Sequence, residues 1–212
     1  MSRRFLAGAA ATFAVLLLIG LLGVDRMLVL WIHDSGLESL PALTNTLNAL
    51  DTISGLHVWY WLAGCITLAL GAIGLLLARG ARWPRVLVAA VLVQFATIGS
   101  MMIGKGLFGR LRPEQILASG DWTQIWFAGG GSFPSGHSSF YFGLLLPIAA
   151  VCPAWWQRLL VLTIPLFAVV TRLDMARHFL SDVSMSALLA ALYALIAASV
   201  SRDWLPPLQN PR

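Results

Sequence analysis

The chain has 212 residues, of which 58% are hydrophobic and only 11% charged, and its mean hydropathy of +0.81 excludes a water-soluble globular domain. The formal net charge of +5 is spread without a basic run or interleaved aromatic and basic residues, so nucleic acid is excluded as a partner. A bilayer is the environment that this composition fits.

A spanning helix needs about 20 mostly apolar residues, because hydrocarbon offers no water to exposed backbone groups. The first such run is Phe5 to Val24. Arg3 and Arg4 precede it as in a secretory signal, but its apolar stretch is too long and no small-residue cleavage site follows, so it reads as a retained helix. The segment Asp25 to Gly55 then spaces Leu37, Leu40, Leu43, Leu47 and Leu50 at helical intervals, as an amphipathic helix in the interface would. A stripe of that kind reads as a cap packed on the bundle in preference to a substrate-recognition element. Further runs follow at about His57 to Leu77, Val86 to Phe108, Ser138 to Ala154, Leu159 to Leu173 and Asp182 to Val200.

The expectation is an all-α integral membrane protein with six transmembrane helices, forming a single domain over residues 1–212 without linker or repeat. Six spans put both termini on one side. That side carries Arg3, Arg4, Arg79, Arg82, Arg85, Arg158, Arg202 and Arg212 with Asp203 as its only acid, whereas every other acid falls on the opposite side. Lys/Arg bias therefore predicts cytoplasmic termini. Cys65 and Cys152 read as packing residues.

Ionisable groups at membrane depth are costly and need a reason. Three clusters fall on the outer side: "KGLFGRLRP" from Lys105, "PSGH" from Pro134 and "TRLDMARHFLSD" from Thr171. Lys105, Arg112 and Arg172 stand at helix ends from which three cations can point into one pocket, and Arg matches phosphate oxygens with a planar fork. Ser135, Gly136 and His137 open a helix whose unpaired N–H groups favour an anion, and the run Gly129 to Gly131 would let backbone approach it. His178 and Asp182, four apart, predict neighbours on one helical face, where a carboxylate can orient an imidazole for nucleophilic attack. His137 would then protonate the leaving oxygen.

The order Lys105-x6-Arg112-Pro113, Pro134-Ser135-Gly136-His137 and Thr171-Arg172-x5-His178-x3-Asp182 resembles the three-part pattern of the type 2 phosphatidic acid phosphatases. That superfamily also holds glucose-6-phosphatase and the vanadium-dependent haloperoxidases. The resemblance implies phosphate binding by Lys105, Arg112 and Arg172 with Ser135 and Gly136. It implies a phosphohistidine on His178, orientation by Asp182, general-acid catalysis by His137, and no metal or other cofactor. Thr171 stands where the family usually has serine and keeps the hydroxyl.

The implied activity is a metal-independent lipid phosphatase of a bacterial inner membrane, cleaving a phosphomonoester or diphosphate from the periplasmic side. Its partners would be the bilayer and a phosphorylated lipid. The stretch His178 to Val183, "HFLSDV", is similar to lipid A phosphatases, which favours a lipid A phosphate. Undecaprenyl diphosphate, phosphatidylglycerol phosphate, phosphatidic acid and lipid-to-lipid phosphotransfer are the alternatives, with a non-enzymatic channel or scaffold as the distant one. Metal ligation by His137, His178 and Asp182 is a further alternative, which no HExxH-like or cysteine spacing supports. Arg110 and Arg177 read either as headgroup contacts or as solvated, ion-paired surface positions. Glu114, Asp121 and Asp174 read as loop surface, His33 and His57 as non-catalytic, and Trp122 and Trp126 as part of an aromatic belt.

Overall fold

The computed structural model describes residues 1–78 and 80–200; Arg79, Arg202, Asp203 and Arg212, which entered the assignment of the termini, lie outside them. The described residues are helical with no strand. The helices are α1 (Arg3–Ile19), α2 (Asp25–Asp34), α3 (Pro41–Ile53), α4 (Leu62–Leu77), α5 (Trp83–Phe108), α6 (Pro113–Ser119), α7 (Gly136–Ala149), α8 (Trp155–Asp174) and α9 (Leu180–Val200).

All six apolar runs fold as helices, and four helices among the described residues are long and apolar enough to cross a membrane: α1 with its continuation, α5, α8 and α9. Helix α4 is apolar but has 16 residues, and α7 has 14. Large apolar side chains such as Leu18, Leu70, Ile103, Leu160 and Ile196 are exposed on α1, α4, α5, α8 and α9, where lipid can cover them.

The segment Asp25 to Gly55 departs from expectation. It is two helices, and α2 continues α1 through a π turn at Gly20–Val24. Leu37 and Leu40 are exposed outside either helix, whereas Leu47 is buried against Leu56, Phe140 and Tyr141. The apolar stripe spans a break that the chain makes at Leu40, where extended backbone precedes Pro41 in the first turn of α3.

Small residues set the packing of the interior. Ala187, Ala190, Ala191, Ala194 and Ala198 line one buried face of α9 and meet Leu6 of α1, Val93 of α5, and Phe142 and Leu146 of α7. Alanine at each of these positions lets neighbouring backbones come close in the absence of a hydrophobic drive between helices in lipid. The C-terminal ends of α5 and α8 thereby lie at the same end of the bundle as the N-terminal ends of α7 and α9. At the opposite end, Arg82, Trp83, Ile148 and Arg158 border a cavity of about 540 Å³.

Candidate active site

Local chain geometry brings the three clusters to one end. Helix α5 stops at Gly109, which is left-handed (φ 49°) and donates its N–H to the carbonyl of Lys105. The chain reverses there, and Pro113 opens α6 with Arg112 at its N-cap, so Lys105 and Arg112 flank one turn. The strip Ile125 to Ser132 runs back along this turn, with Phe127, Ala128, Gly130 and Ser132 donating N–H groups to the carbonyls of Phe108, Gly109, Gly109 and Arg110. A Cβ on Gly130 would lie 2.2 Å from the Arg110 carbonyl oxygen. Backbone-to-backbone packing thus requires glycine at position 130.

The turn before α7 is fixed from α9. Ser135 donates its N–H to the Asp182 carbonyl at 3.1 Å, and Ser186 donates its hydroxyl to the Ser135 carbonyl at 2.8 Å. The Ser135 hydroxyl stands at the N-cap of α7, 3.5 Å from the Ser138 nitrogen. Behind it, a Cβ on Gly136 would come within 2.6 Å of the Tyr60 hydroxyl, so this position admits only glycine while Tyr60 stays in place.

His178 does not share a helical face with Asp182. It lies in the loop before α9, and the carboxylate reaches back across the first helical turn, accepting the Phe179 N–H at 2.8 Å. Asp182 Oδ2 lies 3.5 Å from His178 Nδ1, longer than a well-formed hydrogen bond, and that buried nitrogen has no closer partner among the described residues. Burial holds the imidazole down to about 4, against the opposing pull of Asp182.

Asp182 is itself immobilised. Ser132 donates its hydroxyl to Oδ2, and Arg110 donates to Oδ1 at 2.6 Å. Arg110 is 2% exposed, and the surface reading of this residue is corrected: its second NH group donates to Asp25 Oδ2 at 2.8 Å, and its guanidinium stacks 4.4 Å from Trp126 and 3.9 Å from Phe179. Asp25 also accepts the backbone N–H of Ser181. Two buried carboxylates flank one delocalised cation, an arrangement for which Arg is better suited than Lys.

Asp174 is corrected likewise. It is buried and ties the end of α8 to the chain between α2 and α3, its carboxylate accepting the Leu40 N–H at 2.9 Å. Arg177 is ion-paired to Glu114 at 2.6 Å, and Asp121 is exposed. Trp126 belongs to the Arg110 stack and to an aromatic group with Phe108 and Phe133, beyond its place in a belt.

Lys105, Arg112 and Arg172 act electrostatically on one another, and Lys105 and Arg172 act on His178 as well. None has a carboxylate to itself among the described residues. Lys105 donates to the Gly131 carbonyl, Arg112 lies 3.7 Å from a Glu114 that Arg177 holds more closely, and Arg172 reaches only the Met175 sulfur at 3.8 Å. The nearby carboxylates are engaged elsewhere, Asp182 by Arg110 and Asp51 by His137 Nε2 at 2.8 Å. The result is an excess of positive charge beside a neutral imidazole, which suits a multiply charged anion.

His137 and His178 thus belong to two separate pairs, one with Asp51 and one with Asp182. Asp51, Asp25, Ser132 and Tyr60 are not legible as site residues in the sequence, and Arg110 is legible only as a headgroup contact or surface ion pair. The available signal was an acid, Asp25 or Asp51, at each boundary between an apolar and a polar stretch.

The model of the PAP2 superfamily matches residues 83–205, which include all three clusters. No curated protein and no solved structure matches the chain.

Proposed function

The chain belongs to the PAP2 superfamily, and from that premise we propose that it is a membrane lipid phosphatase working through a phosphohistidine. Membership supports phosphatase action on phosphate esters. The observation that carries the finer reading is a set of three mutually close cations, none with a carboxylate to itself among the described residues, two of which act on a buried imidazole whose Nδ1 faces an immobilised carboxylate.

With Nδ1 turned to Asp182, Nε2 of His178 is the nitrogen left to attack phosphorus. Lys105, Arg112 and Arg172, with N–H groups of the Ser135–Gly136 turn, would hold the equatorial oxygens, where transition-state charge is spread. As the P–O bond to the leaving group breaks, His137 gives its proton to that oxygen. Water then attacks the phosphohistidine, passes its proton to His137, and the P–N bond opens. No step calls for a metal, since the cations neutralise the developing charge.

The substrate is a lipid phosphomonoester or diphosphate that reaches the site from the leaflet beside it, with a lipid A phosphate favoured over undecaprenyl diphosphate and phosphatidylglycerol phosphate. The setting we infer is a bacterial inner membrane crossed six times by one domain over 1–212, the site facing the periplasm. Phosphate release from a panel of such lipids, with and without EDTA and beside His178→Ala, tests this. We expect release that EDTA leaves intact and the alanine variant abolishes, and losses of about 10²-fold or more for alanine at Lys105, Arg112 or Arg172. Activity retained by His178→Ala would remove the covalent route.

A further inference from the structure

Asp51 belongs to α3, in the segment whose apolar stripe pointed to a cap, yet it is 1% exposed and bonded to His137. Its Oδ2 lies 2.8 Å from His137 Nε2, and its Oδ1 accepts the Tyr141 hydroxyl at 2.7 Å. Its own backbone carbonyl accepts the Leu56 N–H at 2.9 Å and the Ser54 hydroxyl at 3.2 Å, which closes the turn after α3 and fixes the residue. Burial alone would raise this carboxyl, but the bonds from His137 and Tyr141 hold it below the usual carboxylate range, so it is charged at neutral pH. Besides Asp51, His137 is faced by Arg172 of α8 and by His57, which itself lies 3.6 Å from Asp51.

We propose that Asp51 is the positioning residue for His137, a carboxylate that accepts a hydrogen bond from Nε2–H so that Nδ1 is the nitrogen that delivers the proton to the departing lipid oxygen. The site then contains two carboxylate–imidazole pairs with complementary duties. Asp182 holds the nucleophile His178, and Asp51 holds the acid His137. The imidazolium keeps its Nε2–H toward Asp51 while the Nδ1 proton passes to the alkoxide as the P–O bond breaks. In hydrolysis of the phosphohistidine, the same nitrogen accepts the proton of the attacking water. Asp51 touches no reacting atom. It fixes the ring plane and the tautomer, and it favours the charged form of the acid.

The inference rests on the phosphatase reading above, and the test separates the two. The leaving group supplies the discriminating readout, because an alkoxide needs a proton as it departs and a nitrophenolate does not. Purified full chain in detergent is assayed with short-chain phosphatidic acid and with p-nitrophenyl phosphate, following kcat/KM, which reports the steps through departure of the alcohol. Asp51→Asn is expected to lower kcat/KM on the lipid about 10²-fold and on the aryl ester by no more than about 3-fold. Equal losses on both substrates, or no loss on the lipid while His178→Ala is inactive, would overturn the role of Asp51 and leave the phosphatase reading standing. Activity in His178→Ala would instead sink that reading. Should Asp51→Asn fail to fold, the wild-type protein decides: ¹⁵N NMR of labelled histidine is expected to show neutral His137 as the Nε2–H tautomer. The Nδ1–H tautomer would refute the proposal.

Discussion

His178 sits at the junction of a short loop and α9 with its ring out of water, and its chemistry follows from that position. An imidazole free in water is half protonated near pH 6.5. Burial, reinforced by Arg172 and Lys105 and only partly opposed by Asp182, holds this one down to about 4. Attack on phosphorus needs the neutral ring. Protonation as pH falls would therefore remove the nucleophile only as pH passes through about 4, and the ring stays competent across the interval where an ordinary histidine is lost. Once corrected for ionisation of the substrate phosphate, kcat/KM should keep its value as pH falls through the ordinary histidine range and drop near 4. An acid limb near 6.5 would mean that the ring is solvated in the working enzyme.

Between elements, Arg110 is the joint. It comes from the turn after α5 and binds Asp25 at the start of α2 and Asp182 in the first turn of α9, so one side chain locks three pieces of chain around the carboxylate that faces His178. Replacing it with Met would leave two buried carboxylates without their cation, which costs about 3–5 kcal/mol when one partner of a buried pair is removed. Arg110→Met should accordingly lower the unfolding midpoint in detergent far more than Arg177→Met, whose pair with Glu114 has side chains 39% and 34% exposed. Equal shifts in the two variants would mean that the joint contributes little.

The apolar runs and the spacing within each motif are local patterns, and they mark six helices and, as a candidate site, Lys105, Arg112, His137, Arg172, His178 and Asp182. Arg110 meets its partners 72 and 85 positions away, and Asp51 meets His137 86 positions away, so no periodicity marks them. The break between α2 and α3 was hidden for a related reason, because leucines on both sides of it fall by chance at helical spacing.

At the scale of the whole molecule, charge and polarity divide the bundle into two ends. One end carries the cations, histidines and buried carboxylates of the site, and the other carries Arg3, bonded to the Ala198 carbonyl, and Arg82 and Arg158, which border the cavity beside Trp83. Between them lies a belt of exposed apolar side chains from α1, α4, α5, α8 and α9. Over the full sequence the side of the termini carries eight Arg against six Lys and Arg on the side of the site, and the richer side is retained in the cytoplasm, so the end with Arg82 and Arg158 should face inward and the site outward. This orientation decides which leaflet supplies the substrate, because a pocket at the bundle end meets headgroups of one face alone. With Cys65 and Cys152 replaced by serine, single cysteines at Asp121, exposed beside the site, and at Trp156, exposed at the start of α8, report the two ends. A membrane-impermeant maleimide added to bacterial spheroplasts should label Asp121→Cys at once and Trp156→Cys only after lysis. The reverse pattern would turn the site toward the cytoplasm and restrict it to lipids of the inner leaflet, which would rule out a periplasmic phosphatase while leaving the chemistry at His178 unchanged.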